Sequence, residues 1–269
     1  MNLVLSNLIR EAHRREGFIS VLVFGSQGIG KTSYALHVAH EIYGDWNKAL
    51  SHLFFNPKDM ISLFKNYLRN GERIPLVISD DAGLWLSKSR WWLREKVEFC
   101  EFFDIIRTVC SSIIFTTPSD NLLSRLSHEI NLRVKISYID GEIYEMLKRE
   151  GISVNPQTYR IAKIYQFSLS PLFQPIIKKR GYDIYPLFYP DEIKEKYDKI
   201  RRDIVRQKLE RVDTSLKSQI EIKCDKTNID QKILELLSQG YSKSEIARLL
   251  GIGRATVYRR LRKLSQMSQ

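Results

Sequence analysis

The 269-residue sequence is poor in cysteine and has no long apolar segment. Its three cysteines include no C-x-x-C pair, so their spacing supports neither a zinc site nor a disulfide framework. No run approaches the roughly 18 apolar residues that a membrane-spanning helix needs. The first ten residues also lack the basic-then-apolar order of a signal peptide. We therefore expect an intracellular, cytoplasmic protein that does not bind a membrane.

Acidic residues are outnumbered by basic ones. The chain has 43 Lys and Arg against 31 Asp and Glu, a net charge of +12 and a pI near 9.5. This excess predicts a polyanionic partner. The 43% hydrophobic content is enough for a real core, and the length fits one α/β domain of ordinary size with a small appendage.

A glycine-rich loop at residues 25–32 reads G-x-x-x-x-G-K-T. It follows an apolar run at 18–24 and precedes a helical pattern at 33–39, which is the context of a phosphate-binding loop. Glycines let backbone N–H groups surround an anion, and the helix N-terminus adds partial positive charge. Lys31 can reach the β- and γ-phosphates, and the Thr32 hydroxyl can bind Mg²⁺. The predicted nucleotide-binding residues are Gly25, Ser26, Gln27, Gly28, Ile29, Gly30, Lys31, Thr32 and Ser33.

A second motif is the apolar stretch 74–79, which ends in Asp80 and Asp81. It resembles the Walker B strand of P-loop ATPases, in which a buried parallel strand delivers acids beside the phosphate loop. The resemblance implies that Asp80 holds Mg²⁺ together with Thr32. Asp81 occupies the place where a glutamate usually polarises the attacking water, and Asp is shorter. A strand that ends in an acidic turn is the alternative.

The next buried strand, 112–117, ends in Thr116 and Thr117. In AAA+ and RecA-like ATPases a polar residue at this strand end, called sensor 1, contacts the γ-phosphate or the water. By that resemblance Thr117 joins Lys31, Asp80 and Asp81 as a catalytic residue, although a strand-capping threonine fits equally.

Between the acids and this strand, Trp and Arg are interleaved at residues 90–94. They cover a core or, alternatively, grip single-stranded nucleic acid by stacking.

The fold class that these motifs predict is α/β. The chain resembles an additional-strand P-loop NTPase of the AAA+ or RecA-like, DnaA-like kind, with a mainly parallel five-stranded core sheet. Residues 159–167 alternate polar and apolar side chains, which indicates an added antiparallel strand at the edge of the sheet. Residues 171–190 hold several prolines and indicate an ordered, extended connection. A sensor 2 arginine of the AAA+ type is not identifiable.

The C-terminal residues predict a small all-α helix-turn-helix domain. Ser242 and Glu245 form a capping box, glycines mark the turns, and basic residues crowd the last helix. Residues 246–259 resemble the DNA-binding domain of resolvases and invertases, although such domains also serve protein contacts. The resemblance implies that the last two helices contact double-stranded DNA. The candidate contacts are Lys243, Ser244, Arg248, Arg254, Thr256, Tyr258 and Arg259.

We expect three regions: an ATPase domain at 1–190, a charged helix and linker at 191–227, and the helix-turn-helix domain at 228–269. Small ATPases of archaeal viruses and plasmids resemble this arrangement. It implies an ATPase using ATP and Mg²⁺, acting on DNA in replication initiation, helicase loading, partition or packaging. A nucleotide-switched transcription regulator is the alternative.

ATPases of this kind often work as homo-oligomers in which a neighbour supplies an arginine, and the candidates are Arg107, Arg125 and Arg133.

Overall fold

The computed structural model describes residues 1–86, 94–118, 129–170 and 174–266. The chain divides into two compact units, Met1–Lys199 and Ile200–Gln269, here called the N-terminal and C-terminal units. A long helix that begins at Asp191 has residues in both units. The elements of the N-terminal unit before that helix are α1 Val4–Arg14, β1 Ile19–Phe24, α2 Lys31–Tyr43, α3 Trp46–Ser51, β2 Leu53–Phe54, α4 Pro57–Asn70, β3 Val77–Ser79, α5 Gly83–Leu86, α6 Arg94–Ile105, β4 Ser112–Thr117, β5 Leu132–Ser137, α7 Gly141–Arg149, β6 Tyr159–Leu169 and β7 Pro175–Pro186.

These strands form one sheet in the order β2-β3-β4-β1-β5-β6-β7. The first five strands are parallel, and β4 lies between the phosphate-loop strand β1 and the acidic strand β3. This inserted strand is the additional strand that the sequence motifs imply. Because all five strands run the same way, the residues that follow β1, β3 and β4 meet at one edge of the sheet. The fold is therefore a mainly parallel α/β sheet, as expected.

The antiparallel addition is larger than the sequence indicated. β6 pairs with β5, and β7 pairs along the whole length of β6, so β7 is the edge strand at the antiparallel end of the sheet. The stretch that we interpreted as an extended connection is therefore a strand. Its prolines, Pro175 and Pro186, stand at its two ends, where an edge strand tolerates a missing N–H. A bulge near Gly181 bends the ladder.

One buried carboxylate on β7, that of Asp183, connects this strand to helices α1 and α2. Asp183 accepts hydrogen bonds from the backbone N–H groups of Val4 and Leu5, at 2.6 and 3.3 Å, and from the hydroxyl of Tyr34, at 2.6 Å. Burial raises the pKa of Asp183, and these three donors act in the opposite direction. The contact joins the start of α1, helix α2 and the edge strand.

Local capping explains where several helices begin. Asn56 accepts a hydrogen bond from the N–H of Lys58 at the start of α4, and Pro57 occupies the first turn. Asp140 caps α7 in the same way through the N–H of Ile143. We had not predicted α7, although Ile143 and Leu147, four residues apart, form its buried stripe.

A single helix, α8 Asp191–Ser238, contains the segment 213–227 that we interpreted as a linker. Between Pro190 and Gly240 the chain has neither proline nor glycine, so nothing in its composition interrupts the helix. The end of α8 and two short helices, α9 Lys243–Leu249 and α10 Arg254–Gln266, make the core of the C-terminal unit. In the described parts of the chain, no helix has the length and apolarity required to cross a membrane.

Candidate functional site

The phosphate loop connects β1 to α2 and adopts the conformation that its glycines allow. Gly28 and Gly30 have φ values of 74° and 108°, in the left-handed region that other residues enter only with strain. The helix begins at Lys31, so its first N–H groups face the loop. The carbonyl of Gly30 accepts hydrogen bonds from the N–H of Tyr34 and from the hydroxyl of Tyr185, each at 3.0 Å.

Lys31 lies inside the loop. Its side chain is buried, and its Nζ donates to the carbonyls of Gly25 at 3.0 Å and Ser26 at 2.8 Å. A charged ammonium is thus held where the loop turns, beside the amino end of α2. The arrangement is a compact concentration of positive charge and backbone donors, which is what a phosphate chain requires.

Asp80 is fully buried at the end of β3 and is surrounded by hydroxyl groups. Its Oδ1 accepts from Thr32 Oγ1 at 2.9 Å and from Thr116 Oγ1, and its Oδ2 accepts from the Tyr197 hydroxyl at 2.8 Å. Burial is the main cause that raises the pKa of Asp80, and the charge of Asp81 adds to it. The three hydroxyls act in the opposite direction.

The contact between Thr32 and Asp80 joins the two predicted motifs. No cluster of three or more His, Cys, Asp or Glu side chains with metal-binding geometry occurs among the described residues. The groups that could hold a cation here are the Asp80 carboxylate and the Thr32 hydroxyl, which are in contact. Mg²⁺ typically uses such a sparse protein set, completed by phosphate oxygens and water. The residues fit a magnesium–nucleotide complex.

Asp81 has an unusual backbone conformation, with φ of 47°. Its N–H donates to Thr116 Oγ1 at 2.9 Å, and its carbonyl accepts from the N–H of Leu84 at 2.9 Å. A non-glycine residue in the left-handed region costs about 1–2 kcal/mol. Such strain is often found at functional sites, and here these two hydrogen bonds hold it in place.

The two threonines at the end of β4 differ in position. Thr116 is fully buried and contacts both acidic residues, as a donor to Asp80 and as an acceptor from Asp81. Thr117, the residue that we predicted as catalytic, pairs with Phe24 on β1, immediately before the phosphate loop. Both therefore stand at the edge of the sheet where the loop and the acids meet.

Two tyrosines of this site escaped the sequence analysis. Tyr197 lies in the second turn of α8, buried beside Phe55, and reaches Asp80 from far along the chain. Tyr185 on β7 touches the phosphate loop at Gly30. A tyrosine within a charged helix and one in a proline-flanked segment carry no local signal, because only the tertiary fold brings them to the site.

Two of the three candidate intersubunit arginines, Arg107 and Arg133, lie away from these residues. Arg107, in a 3₁₀ turn before β4, is exposed at the amino end of the parallel strands, opposite the phosphate loop. Arg133 lies on β5, where its guanidinium stands 4.3 Å from the centre of the Phe167 ring. Arg125 lies outside the described residues, as do Trp91 and Trp92.

The C-terminal unit forms a three-helix core from the end of α8, α9 and α10. Ile233, Ile246, Ala247 and Val257 are buried in it. Gly251, with φ of 63°, makes the turn between α9 and α10, and the Ser242–Glu245 capping box is present. The predicted trihelical organisation is thus confirmed.

The side chains that we predicted to contact DNA are mostly exposed on α9 and α10. Thr256 is half-buried, and Tyr258 lies between two cations: Lys243 Nζ is 4.8 Å and Arg254 Cζ 5.9 Å from the centre of its ring. Arg260 has a structural role, since its Nη1 pairs with Asp230 Oδ1 at 2.6 Å and joins α10 to α8.

Comparison with known proteins identifies residues 225–264 as matching the helix-turn-helix domain of resolvase. Two viral relatives match 44% of the chain: uncharacterized protein B-251 of Sulfolobus spindle-shape virus 1, 44% identical over 125 residues, and uncharacterized protein ORF286 of Acidianus two-tailed virus, 38% identical over 122 residues. The matches cover 50% and 43% of those proteins, so the chain spans about half the length of the curated relatives that it matches.

Among solved structures, the genome packaging NTPase B204 of Sulfolobus turreted icosahedral virus 2, in complex with ATP-γS, is 13% identical. It covers 60% of this chain and 97% of its own, with a TM-score of 0.35. The N-terminal domain of zonular occludens toxin from Neisseria meningitidis is 15% identical and covers 62% of this chain and 95% of its own. Its TM-score is also 0.35.

The two loop glycines offer a matched pair of substitutions. A Cβ at Gly30 would lie 2.5 Å from Leu187 Cδ2 and 3.2 Å from the Tyr185 hydroxyl, whereas a Cβ at Gly28 meets nothing within 4 Å. Both changes to Ala add left-handed strain of about 1–2 kcal/mol, and only Gly30→Ala adds overpacking of about 1–3 kcal/mol. We expect Gly30→Ala to lower the free energy of unfolding more than Gly28→Ala. Denaturant titration followed by tryptophan fluorescence measures both, and equal losses would contradict the contact between β7 and the loop.

Proposed function

We propose that this chain is an ATPase that acts on double-stranded DNA, binding Mg-ATP at the phosphate loop and DNA through the helix-turn-helix. The observation that carries the proposal is the 2.9 Å contact between Thr32 and Asp80, which joins the loop to the acidic strand in the arrangement that a magnesium–nucleotide complex needs. The resolvase-type domain supports the second half. The two relatives are viral proteins, which supports a viral origin and an action inside the host cell.

Each residue of the site has a distinct part in this proposal. The loop N–H groups and Lys31 would bind the phosphate chain and balance its charge. Thr32 and Asp80 would hold Mg²⁺, which when bound neutralises charge on the phosphate oxygens. Asp81 would accept the proton of the attacking water, and Thr117 would hold the γ-phosphate or that water. Thr116 and Tyr197 position Asp80 by donating to its two oxygens.

Asp81 favours a working ATPase over a nucleotide switch. A switch with slow hydrolysis needs no second carboxylate at this strand end. Here the second carboxylate is present, on a strained backbone that two hydrogen bonds stabilise. Our proposed process is replication initiation, helicase loading or another ATP-driven DNA transaction, with partition, packaging and switched transcription as its competitors.

The first test separates binding from hydrolysis. Lys31→Ala should abolish or strongly weaken Mg-ATP binding in calorimetry, because it removes the one cation that the loop itself holds in place. Asp81→Asn should bind nearly normally and hydrolyse about 10²–10⁴-fold more slowly, the usual contribution of a general base. Unchanged affinity in Lys31→Ala would refute the phosphate site. Lost binding with normal turnover per bound ATP in Asp81→Asn would reverse the roles of the two acids.

The second test distinguishes a DNA-driven ATPase from a switch. We expect duplex DNA to increase ATP turnover several-fold in the full chain, since a machine couples hydrolysis to its substrate. Turnover per chain should also rise with protein concentration if a neighbour supplies Arg107, Arg125 or Arg133. Turnover that is slow and indifferent to DNA would favour the regulator, and full activity at every dilution would exclude the homo-oligomer.

The third test concerns DNA recognition. The N-terminal residues of the last helix enter the major groove in helix-turn-helix proteins, so Arg254 and Thr256 are our candidates for base edges. Arg254→Ala should cost about 1–3 kcal/mol and relax sequence preference. Arg259→Ala should weaken all sequences alike and make the slope of log affinity against log salt shallower by about 1. Competition binding with matched and scrambled duplexes measures both. If neither variant changes binding, the domain serves protein contacts.

A further inference from the structure

The antiparallel end of the sheet has an unusual charge. Strands β5, β6 and β7 carry seven basic side chains: Arg133, Lys135, Arg160, Lys163, Lys178, Lys179 and Arg180. Their one acidic residue, Asp183, is buried and bonded to Tyr34 and to the start of α1. None of the proposed site residues except Arg133 belongs to this group, so the charge calls for a separate explanation.

The strand register places part of this charge on one face. Directly paired residues project to the same side of a sheet, and alternate residues along a strand share a face. Lys135 pairs with Lys163, Arg133 pairs with Tyr165, and Tyr165 pairs with Lys179. These five residues therefore form one continuous surface across three strands, which we call the basic sheet face.

The opposite side of the same strands is packed. Val134 and Ile164, which alternate with the residues of the basic sheet face, are buried. Among the described residues, the basic sheet face is covered at one end, where Ile161 packs against Ile143 and Leu147 of α7. At its other end Lys135 and Lys179 are exposed, and Arg133, Lys163 and Tyr165 are half-buried.

Two of these like charges lie where they lower the stability of the sheet. Lys135 and Lys163 stand directly opposite each other, and like charges in that position are destabilising. Within the described part of the chain, Lys135, Lys163 and Lys179 form no ion pair with a carboxylate. A polyanion bound on this face would neutralise these lysines, so the relief of their mutual repulsion would favour binding.

We infer that the basic sheet face is a second DNA-binding surface, which contacts the phosphate backbone of a duplex without reading its sequence. The inference rests on the proposed function in that DNA is the partner. Phosphate contact fits better than base stacking, because the ring of Phe167 is already paired with the Arg133 guanidinium and Tyr165 is half-buried. The cation-bearing surface therefore fits a duplex backbone more than splayed bases.

The test uses the full-length chain with Lys135→Gln, Lys163→Gln and Lys179→Gln combined. Its matched control combines Lys58→Gln, Lys65→Gln and Arg69→Gln, which removes the same charge from exposed positions of α4 beside the opposite sheet edge. Fluorescence anisotropy gives the affinity for a labelled duplex over about 50 to 200 mM salt. We expect the sheet variant to bind at least about tenfold more weakly, for any sequence, with a slope shallower by about 2 to 3. The control should keep the slope of the unmodified chain.

A second variant tests the surface without depending on charge removal alone. Lys163→Glu places an opposite charge across from Lys135, so the melting temperature should rise while duplex affinity falls. A fall in both would mean that Lys163 is needed for folding, and the combined Gln variant, checked for normal ATP binding, would then decide.

The outcomes separate this inference from the proposed function. If the unmodified chain binds no DNA, the proposed function fails. If that chain binds DNA and Arg254→Ala weakens it, but the sheet variant keeps its affinity and slope, the basic sheet face is not a DNA surface. If the sheet variant loses binding to RNA but not to duplex DNA, the face serves another partner and the inference is equally overturned.

Discussion

The buried carboxylate of Asp80 is the constraint on which the rest of the site depends. A carboxylate removed from water must be satisfied by donors, and three hydroxyls from three separate elements provide them: Thr32 from α2, Thr116 from β4 and Tyr197 from α8. These donors can meet only if β4 lies next to β3 and the phosphate loop lies next to β4. The strand order, with β4 between β1 and β3, satisfies this requirement.

The edge strand completes the arrangement from the other side. Asp183 fastens β7 to α1 and α2, and the Tyr185 hydroxyl, two residues later, reaches the carbonyl of Gly30. The loop is thus supported by a strand more than 150 positions away in the chain, as well as by its own glycines. The tight fit of Leu187 against Gly30 leaves no space for a side chain there, so the identity of this glycine follows from packing as well as from φ.

The sequence predicted the elements whose formation depends on residues close together in the chain. The loop and its helix, the buried acidic strand, the strand at 112–117 and the trihelical C-terminal unit follow from glycine positions, apolar runs and caps, and the structure has each of them. The position of that strand between β1 and β3 followed from the family resemblance and is also observed. The second antiparallel strand was missed because prolines and a bulge hide the alternation that marks a strand. Tyr197 and Tyr185 were missed for a different reason: their partners are distant in sequence, and no periodicity reports a contact over 117 or 155 positions.

The backbone of Asp81 bears on the ATPase activity that we propose. A left-handed conformation is easiest for glycine, so an aspartate there costs about 1–2 kcal/mol that the fold could avoid. The N–H of Asp81 donates to Thr116, and its carbonyl accepts from the N–H of Leu84. Both are backbone hydrogen bonds of residue 81, so they hold this turn whatever side chain stands there. A second acid held at the end of β3, beside the hydroxyls of β4, is a feature that hydrolysis requires and that a passive nucleotide switch does not.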